Sequence, residues 1–224
     1  MNTTSVSTQR RRSAPDTASR IREVAEALFA ANGIDGVSLR QIAVDAGAGN
    51  NNSVQYHFGG KEGLIRSICE ARLPRLDTRR AALFGQLSAQ EMDDPALLLR
   101  VLLRPIAEET DETGAHRWAA FLLAIDNMPG MMAVRVSAEF HAPVTTMVYD
   151  RIVRALAPIS PAVVRHRLDV AFRNFFRGLA AIDREYTDAD DHVRSVLIED
   201  YLMLAAAMLT VPASSELAGA LDRE

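Results

Sequence analysis

SLRQIAVDAGAGNNNSVQYHF, residues 38–58, decides how the rest of the chain is read. Leu39, Ile42, Ala43 and Ala46 recur at helical spacing and line one apolar face. Ser38, with Gln41 three residues on, has the pattern of a capping box and predicts a helix beginning at Leu39. Ala46-Gly47-Ala48-Gly49 supplies a turn. Beyond it Asn50, Asn51, Asn52, Ser53, Gln55 and Tyr56 carry amides and hydroxyls, and a polar helix is predicted over about 50–56. Only Val54 and Phe58 have the character of inward anchors. Buried amides without partners cost about 1–3 kcal/mol each, so this segment is unsuited to a core. Turned outward, it suits the edges of base pairs, because Asn and Gln pair bidentately with adenine in the major groove. Residues alone also allow a helical hairpin capped by an Asn-rich loop.

The flanks add three features. Upstream, Ile21, Val24, Ala25, Leu28 and Phe29 predict a helix over 17–32, with Asp16 or Thr17 as cap and Gly33 as left-handed stop. It supplies the third helix that buries the pair. Downstream, Gly59-Gly60 breaks the chain, and Lys61 opens a fourth helix through Leu64, Ile65 and Ile68, where its amine can reach a phosphate. Arg10-Arg11-Arg12 form a basic arm ahead of the domain, suited to phosphate or minor-groove contact. Residues 1–72 hold nine basic and seven acidic side chains, whereas the whole chain has 25 and 29. A mildly basic head thus sits on an acidic body.

Residues 17–70, about a quarter of the chain, resemble the DNA-binding domain of the tetracycline-repressor-like (TetR) family of bacterial transcription regulators. The matching elements are AxxLFAxNGxxGVSLRQIAxxAG, a short helix, and YHFGGKEGLI. The resemblance implies an all-α fold: an N-terminal three-helix helix-turn-helix domain and a larger C-terminal helical bundle, nine or ten helices in all. It divides the chain into a flexible arm (1–15), a DNA-binding domain (16–60) and a ligand-binding and dimerisation domain (61–224). It implies that Thr17, Ser38 and Arg40 contact DNA backbone, with Arg40 in reach of a base. Asn50, Asn51, Asn52, Ser53 and Gln55 fall on the recognition helix, while Tyr56, His57 and Lys61 fall on phosphate-binding positions. Two features depart from the pattern. The stretch from Gly47 to Tyr56 is one residue longer than usual, and Gly60 stands where Ser or Asn is the usual cap.

Beyond residue 75, helices are predicted over about 79–89, 95–109, 114–127, 131–156, 161–185 and 190–210. Asp93-Asp94-Pro95 and Ser160-Pro161 mark two starts, and Pro105 predicts a kink. The last two long helices carry two apolar rows each, and two rows need two partners. Val164, Leu168 and Phe175, with Leu197, Leu204 and Met208, are assigned to a homodimer interface. Burial within one subunit is the other outcome. Two heads about 34–36 Å apart, or a multiple of that, would read an inverted repeat.

The middle helices are expected to enclose a pocket for a small, largely apolar effector. Trp118, Phe121, Leu122, Phe140 and Met147 are its candidate lining, with Met128 to Met132 nearby. Asp126, His141 and Arg173 are candidate polar handles, as are Arg117, Asn127, Tyr149 and Asn174. Such a ligand would bias a two-state body and move the heads through the fourth helix.

Other chemistry finds little footing. The five histidines show no HxxxH or HExxH spacing and have no cysteine partner, so no metal and no cofactor is expected. The glycines form neither a dinucleotide nor a phosphate loop, and no GxSxG occurs. The single Cys69 excludes an internal disulfide and reads as core. No apolar run approaches the roughly 20 residues of a membrane span, and MNTTSVSTQRRRSAPD lacks the apolar region of a secretory signal. A cytoplasmic transcription regulator, in the repressor sense and not an enzyme, is the leading expectation. An all-α enzyme using Asp126, His141 and Arg173, or a helical protein-interaction module, is the alternative.

Overall fold

The computed structural model describes residues 16–48, 52–126, 142–212 and 214–221. Among them are ten α-helices and no strand. The helices are α1 (Thr17–Asn32), α2 (Leu39–Asp45), α3 (Ser53–Phe58), α4 (Lys61–Phe84), α5 (Pro95–Ala107), α6 (Arg117–Asp126), α7 (Pro143–Ala155), α8 (Pro161–Glu185), α9 (Asp191–Thr210) and α10 (Ser215–Leu221). No helix of the described residues is long and apolar enough to cross a membrane.

Four helix starts, those of α1, α2, α5 and α9, are capped by a side chain. Asp16 Oδ1 accepts the Ser19 amide at 2.7 Å, Asp94 Oδ1 accepts Ala96 and Leu97, and Asp190 Oδ1 accepts Val193 at 2.8 Å. These bonds satisfy amides that a helix start leaves without partners. The first of them holds the Asp16 carboxyl below its ordinary pKa. Ser38 Oγ likewise accepts the Gln41 amide at 3.1 Å. Only half of the expected capping box forms, because the Gln41 side chain donates to Asp45 Oδ1 instead of reaching back.

α1, α2, α3 and the first turns of α4 close over Ile21, Ala25, Phe29, Ile42, Ala43, Val54, Leu64 and Ile65, all fully buried. This core runs on into the body without a break. α1 packs on α6 as well as on α4, and α5, buried on nearly every side, is the axis of the body. α4 is longer than expected. It takes in residues 79–84 of the segment predicted as a separate helix over 79–89, which stops at Gly85, and it carries Pro74 on an exposed face. α5 continues through Pro105 to Ala107.

α8 uses both of its apolar rows inside the subunit, where it packs on α6, α9 and α10 together. Val164, Leu168 and Phe175, assigned to a homodimer interface, are fully buried there. α9 differs. Leu202, Ala205 and Leu209 face the core, Leu197 and Met208 are half-buried, and Leu204 is 47% exposed. Val193, Val196 and Met203 are also exposed on this helix.

Candidate nucleic-acid interface and ligand cavity

α3 is held by one apolar pin and two glycines. Val54 is fully buried, and Phe58 is partly buried against the same core. Gly59 ends the helix at φ 71°, and Gly60 follows at φ 125°. Backbone of that kind disfavours any residue with a Cβ, which accounts for glycine where a Ser or Asn cap is usual. Three residues beyond Gly60, a Cβ on Gly63 would lie 1.8 Å from the Phe58 carbonyl oxygen. The first turn of α4 thus rides directly on the end of α3, and this closeness sets the angle at which α3 is presented.

With Val54 inward, the opposite face of α3 points to solvent. Gln55 and His57 are exposed, Tyr56 is 86% exposed, and Asn52 is an exposed N-cap. Ser53 is half-buried. Tyr56 and His57 meet edge-on with ring centroids 5.1 Å apart. Asn50 and Asn51 lie outside the described residues. Arg40 is exposed on α2, Thr17 is half-buried at the head of α1, and Ser38 is occupied as a cap. Lys61 has a role that its spacing did not disclose. Its Nζ donates to the Ile34 carbonyl at 2.8 Å and ties the head of α4 to the turn after α1. An ammonium has three donors, so this bond leaves room for a phosphate.

Below this head the body holds a cavity of about 50 Å³. α4 supplies Cys69, Leu73, Leu76 and Arg80, and α5 supplies Leu102 and Ile106. Trp118 and Leu122 come from α6, Thr145 and Tyr149 from α7, and Phe172 and Phe176 from α8. Of the expected lining, Trp118 and Leu122 are therefore present. Phe121 is buried behind them, stacked on Trp118 at 5.2 Å. Met147 is half-buried elsewhere on α7, Asp126 ends α6 away from the cavity, and Arg173 bonds to Asp169 of its own helix. Among the other handles, Arg117 pairs with Asp111, and Asn174 meets Met208. Phe140, His141, Asn127 and Met128 to Met132 lie outside the described residues. Arg80 was not foreseen, since one charge on a long polar-faced helix gives no sign in sequence that it turns inward.

The buried polar groups form a tight set. Arg80 Nε and Nη2 donate to the Leu102 carbonyl at 3.2 and 3.0 Å, and Nη1 donates to Thr145 Oγ1 at 2.8 Å. The Thr145 hydroxyl donates in turn to Asp77 Oδ1 at 2.8 Å. Trp118 joins the cavity to the head by two routes. Its ring lies 5.6 Å from the Arg72 guanidinium carbon, and Arg72 grips Glu26 of α1. Through Phe121 it also reaches Phe29 of α1, whose ring is 6.3 Å from that of Phe121.

Comparison with known proteins agrees with this architecture. Residues 21–68 match the family described as bacterial regulatory proteins, tetR family. Among solved structures, a protein from Shewanella sp. PV-4 assigned to the tetR family of transcription regulators superposes with a TM-score of 0.59 at 17% identity. The match covers 85% of this chain and 98% of that one. The transcriptional regulator FadR from Bacillus subtilis, in complex with stearoyl-CoA, superposes with a TM-score of 0.58 at 13% identity over the same shares. At such identities the likeness is one of fold. No curated protein matches in sequence. Together, the matched segment and the helix-turn-helix geometry make residues 21–68 similar to the family described as bacterial regulatory proteins, tetR family, and the chain as a whole shares its fold with these solved structures.

Proposed function

We propose that the chain is a homodimeric repressor that binds an inverted-repeat operator and is released by a small-molecule effector in its body. One observation carries the reading: α3 is pinned by Val54 alone and turns Gln55, Tyr56 and His57 to solvent. Polar groups so displayed on a rigid helix suit base edges and phosphates. Two supports come from the body. The exposed row Val193, Val196, Met203 and Leu204 on α9, with Val170 of α8, is an apolar surface of the kind a second copy covers. The cavity touches α4, which begins at the end of α3.

The test is retention of a DNA fragment from just upstream of the protein's own reading frame, measured across salt concentrations. Binding should fall log-linearly with salt, as counterion release requires. Salt-insensitive binding, or turnover in a substrate screen with no DNA retained, would replace this reading with an interaction module or an enzyme.

A further inference from the structure

The start of α7 is capped from another helix. Pro143 is its first residue and has no N–H, so the amides that need a partner there are those of Val144 and Thr145. Thr146 already donates to the Ala142 carbonyl at 3.1 Å, and Ala142 offers no side-chain cap. Both amides instead donate to Asp77 of α4, Val144 to Oδ2 at 3.2 Å and Thr145 to Oδ1 at 2.8 Å. The caps of α1, α2, α5 and α9 come from the residue just ahead of each helix. This one ties two helices together.

The tie is dry and directional. Asp77 is 8% exposed, Arg80 6% and Thr145 9%. The Thr145 hydroxyl donates to Asp77 Oδ1 and accepts from Arg80 Nη1, while Arg80 also holds the Leu102 carbonyl of α5. The Asp77 charge faces the N-terminal end of α7, where the helix dipole favours it. Apolar packing tolerates small slides, but a carboxylate gripping two amides does not, because a hydrogen bond weakens steeply as its angle closes.

Position gives the tie a use. Arg80 and Thr145 line the cavity, as do Leu76 of α4 and Tyr149 of α7. α4 begins at the end of α3. An occupant that presses α7 outward must either drag α4 by Asp77 or strand a buried carboxylate and two buried amides, which is costly. From this juxtaposition we infer that Asp77 is the positioning residue that couples the cavity to the DNA-binding head, by making the first turn of α7 move with α4. The inference rests on the reading of the chain as a ligand-responsive DNA-binding regulator and deepens it by naming where the regulation passes.

Coupling is reciprocal, so it is readable without an effector. DNA that fixes the head fixes α4 and, through Asp77, quiets the start of α7. The experiment measures hydrogen exchange of the full-length chain with and without the DNA fragment from upstream of its own reading frame, at DNA concentrations that saturate each protein. In the wild type, exchange at the Val144 and Thr145 amides should slow about fivefold or more relative to the amides of α8, the low end of ordinary coupling between sites. Asp77→Asn turns an N–H donor toward an amide that needs an acceptor, and Asp77→Glu keeps the charge but displaces the oxygens. Both should lose most of that slowing. Ile182→Val, buried on α8 and outside the cavity lining, loosens the body without touching the tie and should keep it. Thermal melts establish which variants are folded at the assay temperature, and the wild-type comparison stands whether or not a variant folds.

Unchanged relative exchange at those two amides in the DNA-bound wild type would overturn the inference. So would full slowing in a folded Asp77 variant, or an equal loss of slowing in Ile182→Val. Each of these leaves the regulator standing, because DNA is then still held. A chain that never retains the DNA removes the regulator reading and the coupling with it.

Discussion

Arg72 holds Glu26 of α1 and Glu109 beyond α5 in a single guanidinium fork. Nε and Nη2 reach the two Glu26 oxygens at 3.1 and 2.5 Å, and Nη1 reaches Glu109 Oε2 at 2.9 Å. Burial disfavours the Arg72 charge, but the two carboxylates outweigh it and raise its pKa. The fork thus pins the DNA-binding head to the body through one side chain on α4. Arg72→Ala strands a Glu26 side chain that is only 7% exposed. The expected loss is about 3 kcal/mol, toward the low end for a broken buried pair because Arg72 itself is partly wet. Chemical denaturation measures it. The double variant Glu26→Gln with Arg72→Met should recover most of the loss, since no uncompensated charge then remains.

Gly63→Ala should disable the head. The added methyl would meet the Phe58 carbonyl at 1.8 Å, so α3 and α4 must part or α4 must fray. A loss of about 1–3 kcal/mol is expected, with DNA retention falling further than stability explains. Gly85→Ala is the control. Its nearest neighbour is the Ala81 carbonyl oxygen at 3.3 Å, and its φ is −67°. Equal effects of the two substitutions on DNA retention would contradict the role given to the α3–α4 junction.

Exposed groups of α3 should divide into two kinds. Tyr56→Phe is expected to weaken binding to all sequences alike and to leave stability untouched, because Tyr56 is 86% exposed. Gln55→Ala should change sequence preference by about 1–3 kcal/mol at one position of the operator. Lys61→Ala should do two things at once. It lowers the salt slope by about one and destabilises the head through loss of the Ile34 bond. Competition binding on operator variants, beside a melting curve, separates these effects.

Met203→Glu with Leu204→Glu places two charges on the open face of α9. Both positions are exposed in the subunit, so the monomer fold should survive. Sedimentation should show a monomer, and operator affinity should fall by orders of magnitude because each head then binds alone. A fully dimeric double variant would put the second copy on another face.

Acid stability should trace to Asp183. Burial alone would raise its pKa, but hydrogen bonds from the His116 ring and amide, at 2.8 and 2.7 Å, and from Arg194 hold it below the ordinary value of 3.8. A carboxyl depressed in the folded state contributes stability above its unfolded pKa and loses it as pH falls through the lower folded value. Asp111, held at about 2, first by the Thr113 hydroxyl, acts in the same direction. Asp183→Asn should therefore cost stability at pH 7 and flatten the decline below about pH 4. An unchanged acid limb in thermal melts would remove Asp183 from that role.

Sequence reading succeeds here where periodicity and caps agree. α1, α8 and the start of α2 fall where Ile21–Phe29, Ser160-Pro161 and Ser38 place them. It slips where a helix end depends on backbone that only three dimensions reveal. α3 was expected to end near Tyr56, yet it runs from Ser53 to Phe58, because Gly59 and not the tyrosine makes the left-handed stop. α4 runs through Pro74 because an exposed face tolerates the missing amide bond. Among site residues, exposure of the α3 polar face was legible from composition. Arg80 and Thr145 were not, since their burial follows from how α4, α5 and α7 cross. The two rows of α8 illustrate the same limit: a pattern counts the faces that need cover and does not say whose atoms provide it.

α4 has a mechanical consequence. Its 24 residues span roughly 36 Å as a continuous rod, with the recognition helix seated on one end and the cavity walls along its middle. Tilting such a rod by about 5° about its far end carries its tip roughly 3 Å, close to one base-pair rise. In the proposed homodimer the two displacements would add. A shift of about 1 Å at Leu76, roughly 12 Å from that far end, would thereby be geared up about threefold, to a mismatch that duplex DNA, stiff over this length, cannot absorb without strain.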